Sequence, residues 1–214
     1  MTPLIAALAV VGLAWGLVAD RIAARWPAHE DGAVRPVDWR TVVVALVGGA
    51  ALGQLGRRFD DGGTTAIYVV VFLDLVLMLA TDLDQRVLPD ELTLPLAGLA
   101  AVYGLTGLNP LIGQGVPEAM LPALIGAVAI PAVFFVLSLP FGAGAFGGGD
   151  VKLLFGVGLL VGLERTGLGV VVGVLLAGVS IFALLAARRI GLKSFVPYGP
   201  FLIIGAMWAV LLQS

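Results

Sequence analysis

The 214-residue chain contains no cysteine and a single histidine, His29. The first absence excludes disulfides, thiolate nucleophiles and cysteine-ligated metals. The second excludes a multi-histidine metal centre. Neither a metal nor any other cofactor is therefore expected. Charge is scarce as well. The chain has 12 Lys plus Arg and 14 Asp plus Glu, 12% of its residues, about half the share in a soluble domain. The net charge of −2 carries no basic footprint of the kind that binds nucleic acid. What is abundant is apolar: 60% hydrophobic residues, another 30 glycines and a mean hydropathy of +1.08. So few charged groups cannot cover a soluble surface. The chain reads as an all-α, polytopic membrane bundle in contact with lipid.

Eight apolar segments are expected, at 4–19, 42–55, 65–80, 92–108, 119–139, 151–163, 168–187 and 198–212. A helix needs about 20 residues to cross a bilayer core, so 42–55 and 151–163 are short and are candidates for re-entrant elements. The runs lack the period-two alternation of a membrane β-barrel. Residue pairs such as Gly169 and Gly173 have the spacing that lets helices approach closely, and are read as packing within the chain. The first segment has no basic n-region, so it reads as a span rather than a cleaved signal.

The basic residues orient the bundle. With the N-terminus outside, the inner connections hold Arg21, Arg25, Arg35, Arg40, Arg86, Lys152, Arg188, Arg189 and Lys193, whereas the outer ones hold Arg57, Arg58 and Arg165. Nine against three is a usable positive-inside signal. It places both termini outside and the odd-numbered loops in the cytoplasm. The polar stretch 20–40 is too short for a domain. It reads as a cytoplasmic linker, with a short interfacial helix expected near Arg21–Trp26.

Two acidic motifs fall on the cytoplasmic side. TDLDQRVLPDELTLP, at 81–95, puts Asp82 and Asp84 at the end of the third span. Pro89, Asp90 and Glu91 suit the first turn of the next helix, whose N-terminal end favours negative charge. Asp82 lies instead at the unfavourable, C-terminal end of a helix dipole. An ionisable residue kept there is a functional-site hypothesis. FGGGDVKLL, at 146–154, follows the flexible approach 140–145 and places Gly147, Gly148 and Gly149 before Asp150. Glycines let a backbone pass close to another group, and Lys152 can neutralise charge at the boundary. No other chemistry is credible. His29 is isolated in the linker, and adjacent Lys193 and Ser194 do not meet well enough for a serine–lysine pair. Two carboxylates placed together share a proton. The ionised one can then activate a water while its protonated partner supports the scissile carbonyl.

At these residues the sequence resembles the prepilin peptidases (type IV leader peptidases), a family of intramembrane aspartyl proteases with a GxGD motif. The first signature is Asp82 followed seven residues later by Pro89 and Asp90. The second is Gly147-Gly148-Gly149-Asp150. The third is VPYGPFLIIG at 196–205, with Tyr198 where the family has phenylalanine. The three stand in family order and the likeness is strongest over 57–212; the YD motif of presenilin-like proteases is missing.

The resemblance implies a single membrane peptidase domain across 1–214 in a prokaryotic cytoplasmic membrane. That domain would remove the short basic leader of type IV prepilin or pseudopilin-like precursors at the cytoplasmic face. It makes Asp82 and Asp150 the reacting pair, with Asp84 the alternative for the first position. Pro89, Asp90, Gly147, Gly149 and Lys152 become structural parts of the motifs. Many relatives also carry a cysteine-containing cytoplasmic region and methylate the new N-terminus. The lack of cysteine marks this chain as a form that cuts without methylating.

Asp74 stands apart, in the middle of the third span and eight residues before Asp82. It is read as a structural polar contact or as an accessory to the pair. It also defines the main alternative, an ion- or proton-coupled carrier using Asp74, Asp82 and Asp150 as a relay. A non-catalytic assembly protein is the third reading.

Overall fold

A computed structural model describes residues 3–29, 32–113, 115, 116, 118, 120–139, 147–189, 191 and 198–213. The approach 140–145, Lys193, Ser194 and the start of the third signature lie outside these residues. The described chain is helical, with no strand: α1 (Pro3–Ala23), α2 (Trp39–Leu55), α3 (Gly62–Gln85), α4 (Asp90–Leu105), α5 (Met120–Ser138), α6 (Gly148–Ala186) and α7 (Gly199–Leu211). Within α1, α3, α5 and α6 there are stretches long and apolar enough to cross a membrane. The helices α2 and α7 are apolar but shorter. The all-helical membrane bundle is therefore what the chain forms.

The helix at the centre is α3. Over its most apolar window 56% of residues are buried, against 28% in α1 and in α5 and 22% in α6. A helix apolar on all sides suits an interior position, and Tyr68, Phe72, Leu75, Met78 and Leu79 are among its fully buried side chains. Against it lie α1, α2, α4 and α7, while α5 packs chiefly on α6.

The sixth and seventh expected segments lie on one element, α6, as two helical arms joined without a loop. The helix is interrupted inside at Gly162, with φ 78° and ψ 177°, a backbone region essentially restricted to glycine. The contacts show that the two arms run in opposite directions. At the start of the first arm, Gly149 meets Leu88, just beyond α3. At its end, the Leu160 carbonyl accepts from Asn109 Nδ2 at 2.8 Å, and Asn109 Oδ1 in turn accepts from the Tyr68 hydroxyl near the other end of α3. The second arm starts with Arg165, which donates to Ala209 O and Leu212 O. It then passes Gly205 with Gly169 and Phe201 with Gly173, antiparallel to α7. The Gly169/Gly173 spacing thus serves packing within the chain.

The bundle accordingly has two distinct ends. Arg21, Arg35, Arg40 and Lys152 pair with acids at one end. At the other, Arg58 donates to Val210 O at 3.1 Å, and Arg165 joins it in satisfying the orphan carbonyls that close α7. The linker 20–40 differs from expectation. There is no separate interfacial helix, because α1 runs on to Ala23 and a turn follows. The rest of the linker is ion-paired onto the last turn of α3.

Replacing Gly162 by alanine is expected to lower unfolding stability by about 1–3 kcal/mol, the usual cost of such backbone strain. At Gly178 a Cβ meets nothing within 4 Å, and Gly178→Ala should change stability by less than about 0.5 kcal/mol. Denaturant titration in detergent micelles tests the contrast. Equal effects would contradict the break at Gly162.

Candidate active site

The last turn of α3 carries the first acid. Arg86 closes this helix in the left-handed conformation, φ 58°, with its N–H on Asp82 O, and so turns the chain toward Leu88 and Pro89. That closure leaves Asp82 inside the helix end, 5% exposed. Its Oδ2 is buried with no hydrogen-bond partner among the described residues. An unpaired buried carboxylate oxygen is costly, so its persistence needs a reason other than stability.

The second acid is placed by a helix start. Gly147 is the N-cap of α6, and Asp150 three residues later accepts from the Gly147 N–H at 3.1 Å. This satisfies one orphan donor and sets the carboxylate at the positive end of the helix. Of the two acids, Asp82 feels the charge of Asp150.

Two contacts join the motifs. A Cβ on Gly149 would fall 2.7 Å from the Leu88 Cβ and 3.1 Å from its carbonyl oxygen, so the glycine lets the two backbones meet. Three residues on, Lys152 Nζ pairs with Asp90 Oδ1 at 2.5 Å, linking α6 to the first turn of α4. Pro89 is the N-cap of α4, with Asp90 and Glu91 in its first turn.

The third signature arrives from α7. Gly199 opens this helix directly against Asp82: a Cβ there would lie 2.6 Å from the Asp82 carboxyl carbon. Only a glycine leaves room. The Gly-Pro pair at 199–200 was readable as a helix start, but nothing in the order of residues told that its backbone borders Asp82.

Asp84 is held quite differently. Its side chain is 1% exposed; it bonds to Arg40 Nη1 at 3.1 Å and His29 Nε2 at 3.1 Å, and it meets Arg35 Nε at 2.5 Å as an ion pair without hydrogen-bond geometry. Arg35 also pairs with Asp38 and Asp20. Burial acts to lower the Arg35 pKa, but its hydrogen bond to Asp20 and the charges of Asp20, Asp84 and Asp38 hold it above its ordinary value. It is a fixed cation, and Asp84 is a committed counter-ion. His29, isolated in sequence, belongs to this cluster.

Asp74 is partly buried midway along α3, and no described residue makes a hydrogen bond or ion pair with it. Eight residues correspond to about 12 Å of helix, beyond direct proton transfer to Asp82. The expected structural contact is therefore not found among the described residues. Beside Lys152, an apolar cleft of about 400 Å³ opens between α4, α5 and α6. Lys152 is its one titratable lining residue.

Comparison with known proteins places the same residues in context. A sequence model of the type IV leader peptidase family matches residues 69–188, more than half of the chain and both acidic motifs. Over 173 residues the chain is 27% identical to the prepilin leader peptidase/N-methyltransferase of Stutzerimonas stutzeri, covering 81% of this chain and 58% of that protein. To the protein of the same name from Aeromonas hydrophila it is 28% identical over 181 residues, covering 85% and 61%. For that of Xanthomonas campestris pv. campestris the figures are 32% over 153 residues, 72% and 52%. The chain thus spans about three-fifths or less of these relatives' length. No solved structure matches.

Gly199→Ala is expected to cost about 1–3 kcal/mol by overpacking against a buried carboxylate. Lys152→Ala removes a pair in which both side chains are 41% and 55% exposed, and should cost less than about 1 kcal/mol. Unfolding of the two variants side by side checks this. A Gly199→Ala protein as stable as wild type would contradict the close approach at Asp82.

Proposed function

The chain belongs to the type IV leader peptidase family, and on that premise we propose that it is a membrane aspartic endopeptidase acting through Asp82 and Asp150 on type IV prepilin or pseudopilin-like precursors. One observation carries the choice of residues. At the end of α3, Asp84 is fully engaged by three basic side chains, whereas Asp82 keeps a buried oxygen with no donor. A group that must exchange a proton cannot also be the fixed counter-ion of a cation cluster.

The reaction follows from two carboxylates sharing one proton. The ionised one takes a proton from water as the water oxygen adds to the scissile carbonyl carbon. Its protonated partner hydrogen-bonds, and then gives its proton, to the carbonyl oxygen. Collapse of the tetrahedral species breaks the C–N bond: the departing nitrogen takes the proton that came from water, and one hydroxyl of the gem-diol returns its proton to the other carboxylate as the new carboxyl forms. The new carboxyl and amino ends leave, and the acids return to their shared state. No covalent intermediate forms. The position of the first acid in the last turn of α3 and of the second in the first turn of α6 puts this chemistry at one end of the bundle, where an extended segment enters most easily.

The further reading is of a single peptidase domain over 1–214 in a prokaryotic cytoplasmic membrane, with the acids facing the cytoplasm and the termini outside. The partition of basic residues between the two ends supports that orientation. Cleavage without methyl transfer is supported by the lack of cysteine, since the related proteins named above are named for both activities. A relay through Asp74 has less support, because no hydrogen bond or ion pair connects it to Asp82 among the described residues.

Co-expression with a prepilin precursor tests the proposal. Asp82→Asn and Asp150→Asn are each expected to insert in the membrane and to reduce leader removal by at least about 10³-fold, as loss of a member of a concerted unit does. A normal mobility shift with Asp150→Asn would contradict the two-acid reaction. Activity kept in Asp82→Asn and lost in Asp84→Asn would move the first role to Asp84. Methyl transfer from a methyl donor to the processed precursor by purified protein would refute the cutting-only form.

A further inference from the structure

Among the described residues, the densest charge lies at the end of α3 that carries Asp82, and it takes no part in the reaction proposed for the acid pair. It forms where the linker crosses the end of α3. The Arg35 side chain, 9% exposed, reaches three acids from three elements: Asp20 in the last turn of α1, Asp38 at the N-cap of α2 and Asp84 in the last turn of α3. Arg21 pairs with the same Asp20, and Thr41 donates to it at 2.7 Å. Arg40 and His29 close on Asp84 from the linker side. The next residue, Gln85, donates to Pro27 O at 2.7 Å and to Ala23 O at 3.3 Å. The final turn of α3 is thereby fixed to the linker at two consecutive side chains.

Asp82 stands in that same turn and has little of its own to hold it. Its Oδ2 meets no donor among the described residues, and the Gly199 backbone lies against the carboxyl group. The position of the Asp82 carboxylate is therefore set by the position of its helix turn, and that turn is set by Asp84 and Gln85. Reacting groups need supports whose own rotamers are locked, and a buried guanidinium with several carboxylate partners is such a lock.

We infer that Arg35 is a positioning residue for the acid pair: by tying Asp84 to Asp20 and Asp38, it sets the axial and rotational placement of the end of α3 and so the approach of Asp82 to Asp150. The inference rests on the reading of Asp82 and Asp150 as the reacting pair. It gives the linker 20–40 a definite task, namely that of a strap across the active end, fastened by charge.

Steady-state cleavage of a purified precursor by the full chain in detergent tests it, with thermal unfolding measured on the same samples. Arg35→Lys keeps the charge, but one ammonium cannot serve three carboxylates from one planar fork. A loss of kcat by roughly 10–100-fold, as small misplacements produce, is expected with KM within about twofold and with wild-type unfolding. Arg35→Met leaves Asp84 and Asp20 undercompensated and is expected to unfold earlier. Adding Asp84→Asn to it relieves that imbalance. In the double variant, unfolding should return toward wild type while kcat stays low, since the strap is still unfastened. Recovery of kcat together with stability would show that the cluster serves folding alone and would overturn the inference, as would wild-type kcat in Arg35→Lys. Full activity in Asp82→Asn would instead defeat the parent reading, whatever Arg35 does.

Discussion

A carboxylate oxygen buried in a membrane bundle without a hydrogen bond is the constraint around which the active end is arranged. Asp82 Oδ2 pays a desolvation cost that nothing in the described structure repays. Its surroundings are consistent with a site kept for reaction and not for stability. The α3 helix ends one residue after Gln85, where Arg86 turns the chain away. The start of α7 comes close enough that only a glycine fits. From across the site, α6 begins with a glycine cap that orients Asp150, and it is joined to α4 through Gly149 against Leu88 and Lys152 with Asp90. Three separated stretches of sequence thus meet within a few residues of one carboxylate.

The neighbouring acid, Asp84, has quite different surroundings. Asp82 and Asp84 are two residues apart, but on a helix that means facing different directions by about 160°. One faces Gly199 and the charge of Asp150; the other faces the linker and its cations. A different linker would leave Asp84 exposed or unpaired, and the distinction between the two acids would vanish. Charge placed on the strap therefore defines the site as much as the acids do.

Much of this was legible in the residues. The all-helical membrane class followed from the charge deficit, and the two motifs with Asp82 and Asp150 followed from acids beside Pro89 and behind the glycines. The sixth and seventh segments are the two arms of α6; the break between them at Gly162 was not legible, because hydropathy marks apolar runs and cannot tell a glycine that reverses a helix from a loop. The polar contact expected for Asp74 from its mid-span position is not found among the described residues. The ion pairs of the linker were not legible, because mixed charge in a loop normally signals solvation. Here Arg35, Arg40 and His29 are matched to Asp20 and Asp84, and such pairing across 15 to 55 positions is a tertiary fact. Gly199 was hidden for the same reason: the sequence marks a helix start but not what lies against it. The opposite end has its own economy, since Arg58 and Arg165 close α7, so two of the three basic residues assigned outside have a structural post there.

The central claim is that the Asp82 motif and the GGGD motif converge at one end of the bundle. A chain without cysteine allows that to be measured directly. With Asp90→Cys and Lys152→Cys introduced together, a short bifunctional thiol reagent applied to native membranes should bridge the two positions, because the replaced side chains meet tip to tip at 2.5 Å. Proteolysis between them would then leave the fragments joined. Fragments that separate, although each cysteine alone is labelled by a maleimide, would contradict the convergence on which the account depends.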